Sequence, residues 1–318
     1  MIYPLKLSYS TAHMLWGGRR LINEWGKKTD ADILAETYEL SVRNDRKSVI
    51  ENGKYKGRTL DEYIKEQGNH TVSSTYDGGR FPMLIKFIDA EKSLSVQVHP
   101  DDEYAAAVEN DSGKNEMWYI VDALPDAKIV YGLREKVTSK ELKNAIEINS
   151  YDSVLNYINV KKGETYYIPA GLVHAIGAGI VIAEIQQNSD LTYRVYDYDR
   201  TDANGNKREL HVEKAFECIK YFSNDEVDKL RFENKADSKN DCIVASRFFK
   251  VYKKDIRCSE ELESTKESFH AILVISDSAE LKYKGIKYLM SKGDCWYIPA
   301  NSGKYTIEGN ATLLISTL

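Results

Sequence analysis

A nine-residue pattern occurs twice in this chain. Lys162-Gly163-Glu164-Thr165-Tyr166-Tyr167-Ile168-Pro169-Ala170 returns as Lys292-Gly293-Asp294-Cys295-Trp296-Tyr297-Ile298-Pro299-Ala300, at a constant offset of 130 residues and without a gap. In each copy a glycine opens an aromatic strand and a proline turns the chain out of it. Self-similarity over such an interval predicts two copies of one β-rich unit. The copies differ in chemistry: at the same offset His174 corresponds to Lys304 and Glu184 to Leu314. The second copy keeps the hairpin and loses the histidine.

The histidine of the first copy has companions elsewhere. Residues 94 to 99 of Leu94-Ser95-Val96-Gln97-Val98-His99-Pro100 alternate with the period of a strand, so Gln97 and His99 share one face and Val96 and Val98 the other. Ser95 lies on the polar face, where its hydroxyl could meet substrate oxygens. Glu116, in Lys114-Asn115-Glu116-Met117-Trp118, places a carboxylate at the head of another strand, with Lys114 two residues before it on the same face. A single histidine beside a proline is usually a surface or turn residue. Two such segments with matching ligand types are the halves of one metal site: Gln97, His99, Glu116 and His174. Two imidazoles, a carboxylate and a carboxamide oxygen suit zinc, one ion per chain, and do not exclude Mn, Co or Fe. Two histidines and a carboxylate also make the facial triad of iron oxygenases, but a glutamine in a fourth position favours Lewis-acid chemistry.

The run of Gly163, five residues, Pro169, one residue, Gly171, two residues and His174 is the cupin pattern. Gln97 in place of the usual histidine, together with the phrase Leu-Ser-Val-Gln-Val-His-Pro, resembles the type I mannose-6-phosphate isomerases in their short bacterial form. Trp16-Gly17-Gly18 and Ala35-Glu36-Thr37-Tyr38-Glu39-Leu40-Ser41 are similar to N-terminal segments of that family, and Glu184 to Arg194 matches its Glu, Asn-Ser-Asp and arginine in order and spacing. The resemblance implies a mainly β chain of two cupin-like jelly-roll β-barrels, the second degenerate and metal-free, with a few short α-helices. It implies a metal-dependent aldose–ketose isomerase that interconverts mannose 6-phosphate and fructose 6-phosphate. Arg194 then resembles the catalytic arginine, Arg200 a basic residue near the phosphate, and Lys86 and Lys114 lysines that line the pocket. Glu184 and Lys114 are both candidates for the base. Without the family match, Arg194 reads as a solvated strand residue paired with Asp197 or Asp199. The rival functions are a 2-His-1-carboxylate iron dioxygenase and a non-catalytic sugar-binding cupin.

Composition narrows the setting. A net charge of -5 offers no broad basic surface for nucleic acid or an anionic membrane, so an anionic phosphosugar needs a local basic pocket. No apolar run is long enough to cross a membrane, and the N-terminus lacks a signal-peptide pattern. Cys218, Cys242, Cys258 and Cys295 are scattered with no close pair. These features predict a cytoplasmic monomer or homodimer with reduced thiols.

Short apolar runs at 82–88, 94–98, 117–121, 128–131, 165–168 and 179–186 predict strands. Capping boxes at Thr59/Glu62 and Thr138/Glu141 predict helix starts, the stretch 102–110 is helix-like, and a further helix is expected over 212–221. Charge dominates 223–241, which predicts a linker between a catalytic domain, residues 1–240, and a C-terminal domain, residues 241–318.

Overall fold

A computed structural model describes residues 2–148, 150–201, 204–232 and 241–318. Strand is the main secondary structure, arranged in three antiparallel sheets. A six-stranded sheet runs in the order Ser10–Ala12, Glu36–Leu40, Met83–Ala90, Ile180–Gln187, Glu116–Ala123, Thr165–Ile168. A five-stranded sheet runs Tyr193–Tyr196, Val96–Val98, His174–Ile176, Lys128–Leu133, Leu155–Asn159. Among the described residues no pairing closes either sheet into a ring, so the jelly-roll unit is an open sandwich.

Alternation decides what each face meets. Gln97 and His99 point into the sandwich, while Val96 and Val98 pack outward with Val130, Leu142, Ala145 and Ala215, under the helices Ser139–Glu147 and Val212–Cys218. Between the sheets lie Ile88, Trp118, Ile120 and Ile182 from one side and Ile129, Tyr131 and Ile176 from the other. The outer face of the six-stranded sheet is apolar as well: Met83, Ile85, Phe87, Met117 and Ala183 share a core with Phe249, Val251 and Leu273. Burial on both faces explains why Met83–Ala90 and Ile180–Gln187 read as nearly unbroken apolar runs. Each large aliphatic side chain so buried contributes about 1.5–3 kcal/mol.

The third sheet has eight strands and contains every strand from Cys242 to the C-terminus. It also recruits Leu5–Leu7, which pairs with Cys295–Tyr297. The internal repeat is structural: Thr165–Ile168 and Cys295–Ile298 are both strands at the same offset of 130, and Gly163 and Gly293 open them at φ +90° and +86°. A side chain would strain either turn, which explains glycine in both copies. Lys304, the counterpart of His174, is exposed and paired with Glu261 at 2.6 Å.

Both predicted capping boxes form, at the heads of Leu60–Gln67 and Ser139–Glu147. The helix over Asp102–Glu109 is capped by Asp101, which accepts from Tyr104 N at 3.1 Å. The helix expected to run to Tyr221 ends at Cys218 because Ile219 turns extended. Within the segment expected to separate the two domains, Asn224–Phe232 is helical. Ser223 and Glu226 cap it reciprocally (Ser223 N to Glu226 Oε2 2.8 Å; Glu226 N to Ser223 Oγ 3.3 Å), and Val227 is buried. The remainder of that expected linker, up to residue 240, lies outside the described residues. No helix among the described residues is long and apolar enough to cross a membrane. The four cysteines are free, three of them buried.

Candidate metal centre

The five-stranded sheet brings two polar residues together by register. His174 stands opposite Gln97 across one antiparallel pair, and Arg194 stands opposite Gln97 across the next. Gly171, at φ +91°, makes the turn that ends the hairpin ahead of His174. Its N–H donates to His99 O at 2.9 Å, which ties the hairpin to the segment carrying the second histidine. Glu116 arrives from the facing sheet, opposite Gln186. Next to it Asn115 is braced by Gln187 Oε1, at 2.7 Å from its side-chain nitrogen, and by Ala170 N at 3.0 Å.

His99, Glu116 and His174 are all buried, and one ligand atom from each lies within 4.8 Å of the others. His99 Nδ1 lies 2.7 Å from Leu191 O, and His174 Nδ1 lies 2.8 Å from Leu172 O. A carbonyl accepts only, so each Nδ1 must carry the proton, and both Nε2 lone pairs face the same point 3.1 Å apart. Two opposed lone pairs repel, and the donors beside them, Lys114 Nζ at His99 and Gln97 Nε2 at His174, lie at the 3.4 Å edge of hydrogen-bond range, so a cation between the nitrogens would relieve the repulsion. Burial lowers the pKa of both imidazoles, reinforced by Lys114 at His99 and by His99 at His174, which is pushed down to about 3. Burial opposes charge on Glu116, yet the Lys114 ammonium at 2.6 Å holds its carboxyl well below the usual carboxylate range. Neutral imidazoles beside an ionised carboxylate are the protonation states a divalent metal requires. The residues therefore fit the metal. Gln97 lies beside them, its Nε2 3.4 Å from His174 Nε2 and its Oε1 3.3 Å from Ser95 Oγ. For its oxygen to join the ligands the amide must rotate.

A cleft opens next to this cluster, lined by Ser95, Gln97, Lys114, Glu36, Lys86 and Glu184, with Met14 and Trp16 as apolar walls and Thr192, Arg194 and Arg208 also bordering it. Glu184 stands opposite Lys86 on one side and Trp118 on the other. Trp118 Nε1 donates to Glu184 Oε2 at 2.9 Å and to Glu116 Oε2 at 3.1 Å, a bridge between the cluster and the cleft. Burial, with the negative Glu116 nearby, raises the Glu184 carboxyl to about 7 against the pull of Lys86 and Lys114. Burial disfavours charge on Lys86, but Glu36 at 3.6 Å, Tyr38 and Glu184 at 3.7 Å keep it protonated, with its ammonium 4.7 Å over the Tyr38 ring.

The structure brings nine of the ten sequence-derived candidates to the cluster or cleft: Gln97, His99, Glu116, His174, Ser95, Lys86, Lys114, Glu184 and Arg194. Arg200 is the exception. Its guanidinium is bonded to Asp197 and to Ser93 O, and it does not line the cleft. Asp197 also binds Arg208. The pairing of Arg194 with Asp197 or Asp199 does not form among the described residues. Sequence reasoning missed Arg208 and Glu36 as lining residues. Glu36 was findable, since it shares a strand face with Tyr38 opposite the unusual in-strand Lys86; Arg208 follows an irregular segment and carries no pattern.

Two imidazoles and a carboxylate gathered from the facing sheets of a jelly-roll sandwich define a metal-binding cupin. A model of the catalytic domain of type I phosphomannose isomerases matches residues 5–122, and one of the mannose-6-phosphate isomerase cupin domain matches residues 239–318. The chain is 38% identical to the probable mannose-6-phosphate isomerase GmuF of Bacillus subtilis, with 99% of each chain covered, and 39% identical to mannose-6-phosphate isomerase ManA of the same organism, with 96% of this chain and 95% of the relative covered. The crystal structure of the mannose 6-phosphate isomerase from Bacillus subtilis superposes with a TM-score of 0.89 at 35% identity, over 99% of both chains. This chain belongs to the mannose-6-phosphate isomerase family.

Proposed function

We propose that the chain interconverts mannose 6-phosphate and fructose 6-phosphate by moving a proton between C2 of the aldose and C1 of the ketose. The observation that carries this reading is the juxtaposition, across one tryptophan, of the metal cluster and Glu184, a carboxyl poised near 7. A base for reversible proton transfer works best with a pKa near the working pH. We assign that role to Glu184, because Lys114 Nζ is engaged as a donor to Glu116 Oε1 at 2.6 Å.

Gln97, His99, Glu116 and His174 would hold the metal, in our reading zinc, which when bound supplies Lewis-acid polarisation of substrate oxygens. Glu184 takes the proton from one carbon and returns it to the next. Lys114 orients Glu116 and donates to an oxygen that gains charge, and Arg194 stabilises the enediolate from the opposite wall. Ser95 accepts and donates hydrogen bonds to sugar hydroxyls. Lys86 holds Glu184 in line and keeps part of its population ionised. Residues 1–240 carry all of these groups, and residues 241–318 serve as a metal-free structural unit. The free cysteines accord with a reducing cytoplasm.

The test is turnover of mannose 6-phosphate by the purified protein, followed as fructose 6-phosphate, beside Glu184→Gln. Turnover in the parent and a loss of roughly 100-fold or more in kcat for the variant are expected. A fully active E184Q protein would remove Glu184 from the reaction.

A further inference from the structure

The positive charge around the cleft is unevenly compensated. The lysines nearest the metal cluster are matched to carboxylates: Lys114 to Glu116 at 2.6 Å, and Lys86 to Glu36 and Glu184 at 3.6 and 3.7 Å. Where Arg194 and Arg208 border the cleft the balance reverses. Asp197 there faces two guanidiniums, Arg208 (Nε to Oδ2 2.7 Å, Nη2 to Oδ1 2.5 Å) and Arg200. Arg194 has no carboxylate partner among the described residues, and its Nε is buried without a hydrogen bond. Arg208 and Arg194 are close enough for their like charges to act on one another.

Three guanidiniums, Arg194, Arg200 and Arg208, against the one carboxylate of Asp197 leave positive charge uncompensated at this edge of the cleft, which makes a place for an anion. The planar fork of Arg suits the oxygens of a phosphate monoester better than a point-charge ammonium does. Asp197 fixes two nitrogens of Arg208 and so orients its fork, while the side chain stays 31% exposed and open to a ligand. Arg200, spent on Asp197 and Ser93 O, lacks that access.

We infer that Arg208, oriented by Asp197, holds the phosphate of the substrate at the edge of the cleft beside Arg194, and that this contact selects a phosphorylated hexose over the free sugar. The inference rests on the isomerase reading above and deepens it. It gives Arg208 a binding role and leaves Arg200 a supporting one.

Kinetics with mannose 6-phosphate, with inorganic phosphate as competitive inhibitor, test it on the holoenzyme and on Arg208→Gln, Arg208→Lys and Arg200→Gln. Arg208→Gln is expected to raise both the KM for mannose 6-phosphate and the Ki for inorganic phosphate by roughly 10- to 100-fold, the effect of losing a charge-assisted contact. Arg208→Lys should recover part of the loss, and Arg200→Gln should show a smaller change. Unchanged KM and Ki in Arg208→Gln would overturn the inference. So would an equal loss of turnover on mannose 6-phosphate and on unphosphorylated mannose, because that marks structural damage. If Arg208→Gln does not fold, Arg208→Lys and Asp197→Asn decide by the same two constants. Should the parent not turn over mannose 6-phosphate, the isomerase reading fails separately. Calorimetric titration of inorganic phosphate into parent and Arg208→Gln then still decides the anion site, with equal affinity counting against it.

Discussion

Glu184 and Lys86 stand directly opposite one another on adjacent antiparallel strands, Oε1 to Nζ 3.7 Å, yet the carboxyl of Glu184 is raised to about 7. Burial and the nearby charge of Glu116 outweigh the lysine, so the pair is a carboxyl of raised pKa beside a fixed cation and not a closed salt bridge.

A pH dependence follows from that balance. Glu184, the proposed base, works only when ionised, so kcat/KM should fall as pH drops through its pKa, which bound metal sets below the metal-free value of about 7 by offsetting the charge of Glu116. Lys86 pulls this value down, so Lys86→Met should move the acid limb of the profile to higher pH. Profiles of kcat/KM between pH 5 and 9 check the shift. A limb that stays in place or moves to lower pH would contradict the tuning.

A second ion pair lies on the other face of the sheet, remote from the cleft. Lys27 Nζ is 2.5 Å from Glu39 Oε1 and 2.8 Å from Gly293 O, with both side chains buried, and it joins the N-terminal segment to the turn of the second hairpin. Lys27→Met strands the Glu39 charge and should cost about 3–5 kcal/mol in urea unfolding, whereas Lys27→Met with Glu39→Leu should be far milder. Equal losses in single and double variants would show that packing and not charge is at stake.

What the sequence revealed, and what it did not, has a physical pattern. The alternation of 94–99 assigned Gln97 and His99 inward correctly because Val96 and Val98 need an apolar cover, which the helices Ser139–Glu147 and Val212–Cys218 provide. The hairpin to His174 was legible because its turns require glycine and proline. The helix Asn224–Phe232 was missed although Ser223 and Glu226 spell a capping box, because a charged window hides a helix that buries little more than Val227. Arg208 was illegible for a different reason. Its position depends on Asp197, eleven residues earlier, a tertiary contact with no periodicity. Arg200, singled out by the family resemblance, is bonded to that same carboxylate.

Metal should stabilise the fold as well as support turnover. Without metal, His99 Nε2 and His174 Nε2 face each other at 3.1 Å, each with a donor at the edge of hydrogen-bond range, Lys114 Nζ and Gln97 Nε2 at 3.4 Å. Saturating metal at about 100 times its Kd adds about 2.7 kcal/mol. Chelation should therefore lower the thermal midpoint of the parent and leave His174→Ala unmoved. A chelator shift of the same size in both proteins would place the stabilising metal elsewhere.

The most direct test is turnover of mannose 6-phosphate by protein stripped of metal and then titrated with zinc. Activity should vanish on stripping and return in proportion to zinc, with its plateau at one ion per chain. Full activity in demonstrably metal-free protein, or none with the site fully occupied, would contradict the account.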